Sequence, residues 1–378
     1  MDIDQQRQIE DSPQLAELRD KVRQFINTCV FPSILDHEAA GNFPFDLFQQ
    51  TGAAGFFRAH LKPEFGGAGL GVPGFCVVSE ELARAGAGMI HNGHFQLMEM
   101  LVEYGTPVQQ ARYLGPLSEG RAIGAMAITE EGVGSSFRGM QSFLTKGRAG
   151  WVLNGAKAFI NDAAEADLVG VLARSGEGFT MVLLEKDTSG FEVVAKLDPL
   201  GLRSSPIYNI AFHDCPIGEE HCLGPMGQGV AVFLSAFNFS RLGNASAALG
   251  VAEAAFAEAL DYCRQRRVGD QLVAEFQGQR WKLAELSTHL LAARLVRDHA
   301  ARNTDESGKS GLLSSQAKLL CVETAQNVVG AAMQLVGRFG CLRDSLFDLY
   351  WRDTKALAIA GGTLEVMKNN IAREIIGL

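Results

Sequence analysis

The feature that most constrains this chain is a change of hydrophobic period that occurs twice. From about residue 14 the apolar residues recur at helical spacing in LAELRDKVRQFI, and FPFDLFQQTGAAGFF and FCVVSEELARAGAGM continue the pattern. Pro/Gly stretches such as KPEFGGAGLGVPG separate these runs. Near residue 121 the pattern shortens to β-rich runs, GWVLNGAKAFI, DLVGVLAR, FTMVLLE, FEVVAKL and IYNIAFHDCPI, divided by Gly, Asp or Ser clusters. Short strands joined by turns predict a compact antiparallel β domain. From about residue 231 helical spacing returns in longer runs, with Leu283, Leu286 and Leu290 three and four apart. Long amphipathic helices with short connections pack as a bundle. The expected fold is α+β and mainly α. It comprises an all-helical N-terminal domain over 1–120, a β-barrel or sandwich domain over 121–230 and a C-terminal four-helix bundle over 231–378.

The chain has 378 residues, 47% of them hydrophobic, enough for two or three domains with real cores. Its net charge of −9 excludes a general binder of nucleic-acid backbones. The opening MDIDQQRQIEDSPQ lacks the basic and apolar regions of a signal peptide. No run of about 18 apolar residues is seen, so no membrane span is expected. The seven cysteines are scattered with no C-x-x-C pair, which reads as reduced thiols in a cytoplasmic protein with no metal site.

Several segments carry chemistry. In AITEEGVGSS, Ala127 to Ser136, Gly132 and Gly134 let the main chain approach a ligand closely. Thr129 and the backbone beside it can donate to an anionic ring. Alone, this stretch also reads as a Gly-Ser surface turn. In NGAKAFIND, Phe159 offers a ring and Asn161 an amide that both donates and accepts; Phe159 also reads as ordinary strand core. RQRRVGDQLVAEFQ, QLVGRFG and the closing YWRDTKALAIAGGTLEVMKNNIAREIIGL follow in the helical region.

In order and spacing these segments, with PEFGG at Pro63–Gly67, EELAR at Glu80–Arg84 and GTPVQQARYLGPL from Gly105, resemble the acyl-CoA dehydrogenase family over almost the whole chain. The resemblance implies FAD, held by Ile128, Thr129, Gly134 and Ser135, with Phe159 packed on the flavin and Asn161 facing its N5 in place of a hydroxyl residue. It puts Arg266 and Gln277 on the FAD of a neighbouring subunit, Gln334 and Gly337 along the diphosphate, and Thr363 and Glu365 at the cofactor as well. Ser135 and Arg241 would meet the substrate, an acyl-CoA or acyl-carrier-protein thioester. A homo-oligomer, dimer or tetramer, is implied, or a heteromer, with no electron acceptor assigned. Three departures stand out: Ser136 for an Asp, Gly269 for an aromatic residue and Arg338 for a Gly.

The largest departure concerns the base. The family reaction is α,β-dehydrogenation, in which a carboxylate takes the α-proton as hydride moves to flavin N5. The family places that Glu before the final G-T or before the bundle Arg, positions held here by Gly361 and Ser240. Three explanations are open. A non-standard base comes from His91, His94 or Glu99 in MIHNGHFQLMEM, although each also reads as an ordinary helix residue. Alternatively, the flavin serves an oxygenase or eliminase reaction. In the third case the chain is a non-catalytic subunit of a heteromer.

Overall fold

The computed structural model describes residues 11–87, 92–147, 150–176, 178–307, 311–343 and 345–377. Among the described residues six α-helices come first: α1 (Pro13–Phe25), α2 (Ile34–Ala40), α3 (Phe45–Ala53), α4 (Gly71–Arg84), α5 (Asn92–Tyr104) and α6 (Pro107–Ser118). Local chemistry sets their starts. Ser12 accepts the Leu15 N–H ahead of α1, and Thr106 and Gln109 form a reciprocal cap at α6.

Strands β1 (Gly124–Ala127), β2 (Phe143–Gly147), β3 (Gly150–Asn161), β4 (Leu168–Ser175), β5 (Gly178–Glu185), β6 (Phe191–Leu197), β7 (Ile207–Ile217) and β8 (Cys222–Leu223) follow. They form one sheet in the order β6-β7-β3-β2-β4-β5-β8, with β1 paired to β4. The expectation of a purely antiparallel domain is corrected here, because β1 and β2 both run parallel to β4. β1 enters from α6 and lies beside a strand more than forty residues downstream, Gly124 opposite Leu168. Such a crossover leaves no local turn signal.

The C-terminal region contains α7 (Gly229–Gln265), a hairpin of β9 (Arg267–Val268) and β10 (Gln271–Leu272), then α8 (Gln277–Ser307), α9 (Gly311–Val336), α10 (Leu346–Leu357) and α11 (Leu364–Ile376). Among the described residues the expected C-terminal helical domain comprises three long helices and two shorter ones. α9 with its extension to Cys341 is long and apolar enough to cross a membrane by composition, which the sequence reading did not anticipate. It packs on α7, α8, α10 and α11 instead, and a helix enclosed on several sides is apolar all round.

Buried ion pairs join the two helical regions. Glu80 and Glu81 on α4 are wholly buried. Arg19 of α1 lies 2.8 Å from Glu80 and 2.5 Å from Glu81, and Arg297 of α8 lies 2.6 Å from Glu80. Glu253 of α7 receives Arg84 at 3.3 Å and Arg294 at 3.1 Å. α4 and α7 approach so closely that a Cβ at Gly250 would overlap the Glu80 carbonyl. Buried charges are tolerated only when paired, so these contacts fix how α1, α4, α7 and α8 sit. Glu80→Gln would leave two buried guanidiniums short of charge. The expected cost is about 3–5 kcal/mol, read as a lower urea midpoint at unchanged slope.

Candidate active site

The first half of the site is a loop clamped to a strand. Lys157 on β3 is buried, and its Nζ donates to Ile128 O at 3.1 Å and to Glu130 Oε1 at 2.9 Å. Glu130 also accepts the N–H groups of Gln141 at 2.5 Å and Ser142 at 3.0 Å, and Ala158 N–H donates to Thr129 O at 2.9 Å. Burial pushes the Lys157 ammonium down to about 8, against the pull of Glu130. Burial alone would raise the Glu130 carboxyl, but its hydrogen bonds and Lys157 hold it below the ordinary value. The pair locks Ile128 and Thr129 against the strand that carries Phe159 and Asn161.

Phe159 is not strand core. The β3–β7 register shifts between Lys157 and Ile160, and Phe159 adopts φ 59° with its side chain 61% exposed. A left-handed conformation costs a bulky residue about 1–2 kcal/mol, and such strain collects at functional sites. The bulge turns a large ring outward beside the Ile128–Thr129 loop, where a flat ring system such as a flavin fits. Asn161 departs from expectation. Its Nδ2 donates to Ser205 O at 3.2 Å and Ser205 Oγ at 3.0 Å, so its donors are spent within the protein and only Oδ1 remains to face a ligand.

The other predicted cofactor residues lie elsewhere on the surface. Gly134 and Ser135 are exposed in the loop after β1. Gln334 and Gly337 are exposed at the end of α9, and Arg338 stacks on Phe339 at 5.2 Å. Thr363 caps α11 by accepting the Val366 N–H at 3.3 Å, and Glu365 is exposed in the first turn. Its own backbone N–H and then the Thr363 hydroxyl hold the Glu365 carboxyl below its usual range. Arg266 and Gln277 are exposed on either side of the hairpin, whose turn uses Gly269 at φ 59°. All these groups are accessible to a ligand.

The second half is a groove. A cavity of about 630 Å³ is lined by Ser135, Ser136, Phe137, Arg138, Phe179, Val230 and Arg373. From it one face of α7 leads inward through Val230, Phe233, Phe237 and Arg241. The Phe137 and Phe233 rings lie 5.8 Å apart, those of Phe233 and Phe237 4.8 Å, and Arg241 sits 4.7 Å over Phe237. Phe237 also faces Gly362, at the start of α11. The helical rise places Arg373 roughly 15 Å from that turn.

At the inner end stand the two glycines of the turn, Gly361 at φ 64° and Gly362 at φ 89°. Asn244 Nδ2 donates to Ala360 O at 3.2 Å and fills the space that a Cβ on residue 361 would need. Asn92 Nδ2 donates in turn to Ser240 Oγ and Asn244 Oδ1, both at 3.3 Å. Lys318 Nζ donates to Ala360 O and, at 2.6 Å, to Gly362 O, and lies 3.5 Å from the Cβ position of residue 361. Burial, then the charge of Arg241, pushes the Lys318 ammonium down to about 7. Burial lowers Arg241 to about 10. Among the described residues no carboxylate pairs with either cation.

The three proposed bases fare differently. His94 is 2% exposed; its Nδ1 accepts the Gly124 N–H and its Nε2 donates to Leu117 O, each at 3.0 Å. With both nitrogens engaged among the rings of Phe48, Phe57 and Phe95, it joins α5, α6 and β1 and has no site left for a substrate proton. Glu99 lies 2.8 Å from His60 Nε2, and Phe75, Phe95 and Phe239 enclose that ring. His91 lies outside the described residues. The sequence reading missed Glu130, Lys157, Asn92, Asn244 and Lys318. Lys318 did leave a signal, a lone cation in the apolar run of α9.

Comparisons agree with this architecture. Family models described as acyl-CoA dehydrogenase N-terminal, middle and C-terminal domains match residues 12–121, 125–215 and 227–376. The chain is 30% identical to an acyl-CoA dehydrogenase of Bacillus subtilis over 95% of its length and 97% of that protein. It is 29% identical to a 3-(aryl)acrylate reductase of Clostridium sporogenes, with 95% and 97% covered. Butyryl-CoA dehydrogenase of Megasphaera elsdenii superposes with a TM-score of 0.94 at 28% identity, covering 97% of this chain and 99% of that one. A glutaryl-CoA dehydrogenase of Mycobacterium smegmatis in complex with FADH2 superposes with a TM-score of 0.92 at 25% identity, over 97% and 96% of the two chains.

Two outcomes follow from the geometry. Glu130→Gln should release flavin and lower stability by about 3–5 kcal/mol, because Lys157 is then buried without its partner; flavin absorbance after gel filtration and a denaturant curve check both. Gly361→Ala should destabilise the protein more in the presence of Asn244 than in an Asn244→Ala background. A coupling of about 0.5–3 kcal/mol is expected from the double-mutant cycle, and strict additivity would mean that the two residues do not meet.

Proposed function

This chain belongs to the acyl-CoA dehydrogenase family and is an FAD-dependent oxidoreductase; on that footing we propose that it dehydrogenates the α,β bond of an acyl-CoA thioester, with Lys318 taking the proton in place of the family carboxylate. One observation carries this reading. Among the atoms around the Cβ position of residue 361, Lys318 Nζ is the nearest that titrates.

FAD, when bound beside Phe159 and the Ile128–Thr129 loop, would supply the hydride acceptor. The protein's own groups do the rest. Phe159 and the Ile128–Thr129 loop seat the ring. Arg138 and Arg373 at the groove mouth suit the phosphates of coenzyme A, and this favours CoA over a carrier protein. The Phe137, Phe233 and Phe237 wall keeps water from the inner turn. Lys318 gives two of its three protons to backbone carbonyls. Loss of the third leaves a lone pair while both hydrogen bonds persist. A base with a pKa near the working pH is the efficient one. The exposed Arg266 and Gln277 fit a homo-oligomer in which each subunit completes its neighbour's cofactor site.

A second reading rests on Asn244, which fills the space where the family side chain would begin. In that case the chain is the non-catalytic half of a heteromer, or its flavin serves oxygenase or elimination chemistry.

Anaerobic mixing of the flavoprotein with short acyl-CoA thioesters decides between them. Under the first reading the flavin bleaches, and the rate climbs with pH through about 7 to a plateau, because only the neutral amine accepts a proton. Lys318→Met should slow bleaching by about 10²–10⁴-fold while FAD stays bound. Folding is linked to the same group. The folded pKa of about 7 lies below the ordinary 10.5, so the unfolded chain binds more protons between those values. Stability therefore rises across that window in the wild type and is flatter in Lys318→Met. Bleaching of Lys318→Met at the wild-type rate places the base elsewhere. A wild type that no acyl-CoA bleaches favours the second reading.

A further inference from the structure

Arg241 is 7% exposed, and its buried Nε has no hydrogen-bond partner among the described residues. Among the described residues it meets Asn238 Oδ1, at 2.9 Å from Nη1, and the face of Phe237. That Asn238 oxygen is shared with Ser314 Oγ at 3.1 Å. A guanidinium held in this way is under-compensated, since a buried charge ordinarily finds an anion. The two positions from which the family supplies a carboxylate here hold Gly361 and Ser240, the latter adjacent to Arg241. Beyond Ser240, Asn92 Oδ1 is likewise buried with no donor among the described residues. The inner end of the groove is thus polar, cationic and incompletely satisfied, which suits a hydrocarbon chain poorly.

We infer that the ligand supplies the missing anion: the groove selects a thioester whose acyl part carries a second carboxylate, and that carboxylate pairs with Arg241. The inference rests on the thioester reading above and deepens it. The path supports it geometrically. Val230 and Phe237 place the entrance and Arg241 on one face of α7, so a ligand whose phosphates stay at Arg138 and Arg373 extends its acyl end toward the unpaired Nε. Shortness of the acyl part follows as well, because Phe237, which carries Arg241 on its face, also packs against the Gly362 turn where the reacting carbons would lie.

The test is anaerobic titration calorimetry of the FAD-loaded protein with succinyl-CoA and butyryl-CoA, which differ by a terminal carboxylate in place of a methyl. Calorimetry reads binding whether or not the flavin is reduced. Wild type should bind succinyl-CoA at least about tenfold more tightly, the effect of roughly 1.4 kcal/mol. In Arg241→Gln the ratio should fall to about one, while Arg241→Lys, which keeps the charge, retains part of it. The wild-type comparison stands by itself should Arg241→Gln fold poorly. Equal affinities in the wild type overturn this inference and leave the thioester reading intact. A preference that persists in Arg241→Gln also overturns it. Failure of both thioesters to bind defeats the two together.

Discussion

The buried carboxylates of Glu80, Glu81 and Glu253 and the arginines around them are the constraint on which the remaining structure depends. Four helices far apart in sequence are held in one arrangement because these buried charges are paired across them. That arrangement sets where α7 lies, and α7 carries the Val230-to-Arg241 face of the groove. Hydrophobic packing alone tolerates sliding of one helix along another. A guanidinium bonded to a carboxylate on a different helix tolerates very little. The precision of the site is therefore set some distance from it, by groups with no part in its chemistry.

Within the site, the loss of an acid changes the electrostatics more than the shape. Lys318 is supported by two carbonyl oxygens, whose dipoles partly replace an anion. Among the described residues Arg241 has an amide oxygen and a ring face and no anion. Both cations are consequently pulled below their ordinary pKa values, first of all by burial. This is the pattern of a site whose stability has been given up for a ligand or a reaction.

Much of the fold was legible because it is written in local periodicity. The helical, β and helical stretches have different repeat lengths, and each is visible within a dozen residues. The loop over 127–136 and Phe159 were legible as motifs, and Gly361 as a departure from one. What stayed hidden depends on partners distant in sequence. The parallel pairing of Gly124 with Leu168 has no turn to announce it. His94 looks like any helix histidine until the Gly124 N–H and the Leu117 carbonyl arrive from other segments to occupy both nitrogens. Asn161 reads as a free amide until Ser205 takes its donors. Asn244 and Gly361 are unremarkable singly; their meaning lies in one filling the space beside the other.

That last contact also bears on the history of the protein. A side chain regained at residue 361 would meet both an occupied space and a backbone at φ 64°, so the two sites are no longer free to change one at a time. Introducing an acid there passes through a strained intermediate unless Asn244 is replaced first. Replacing Asn244 first removes hydrogen bonds to Ala360 and Asn92 with nothing gained at that step. The contact thereby acts as a ratchet: substitution at residue 361 is expected to require a prior change at residue 244.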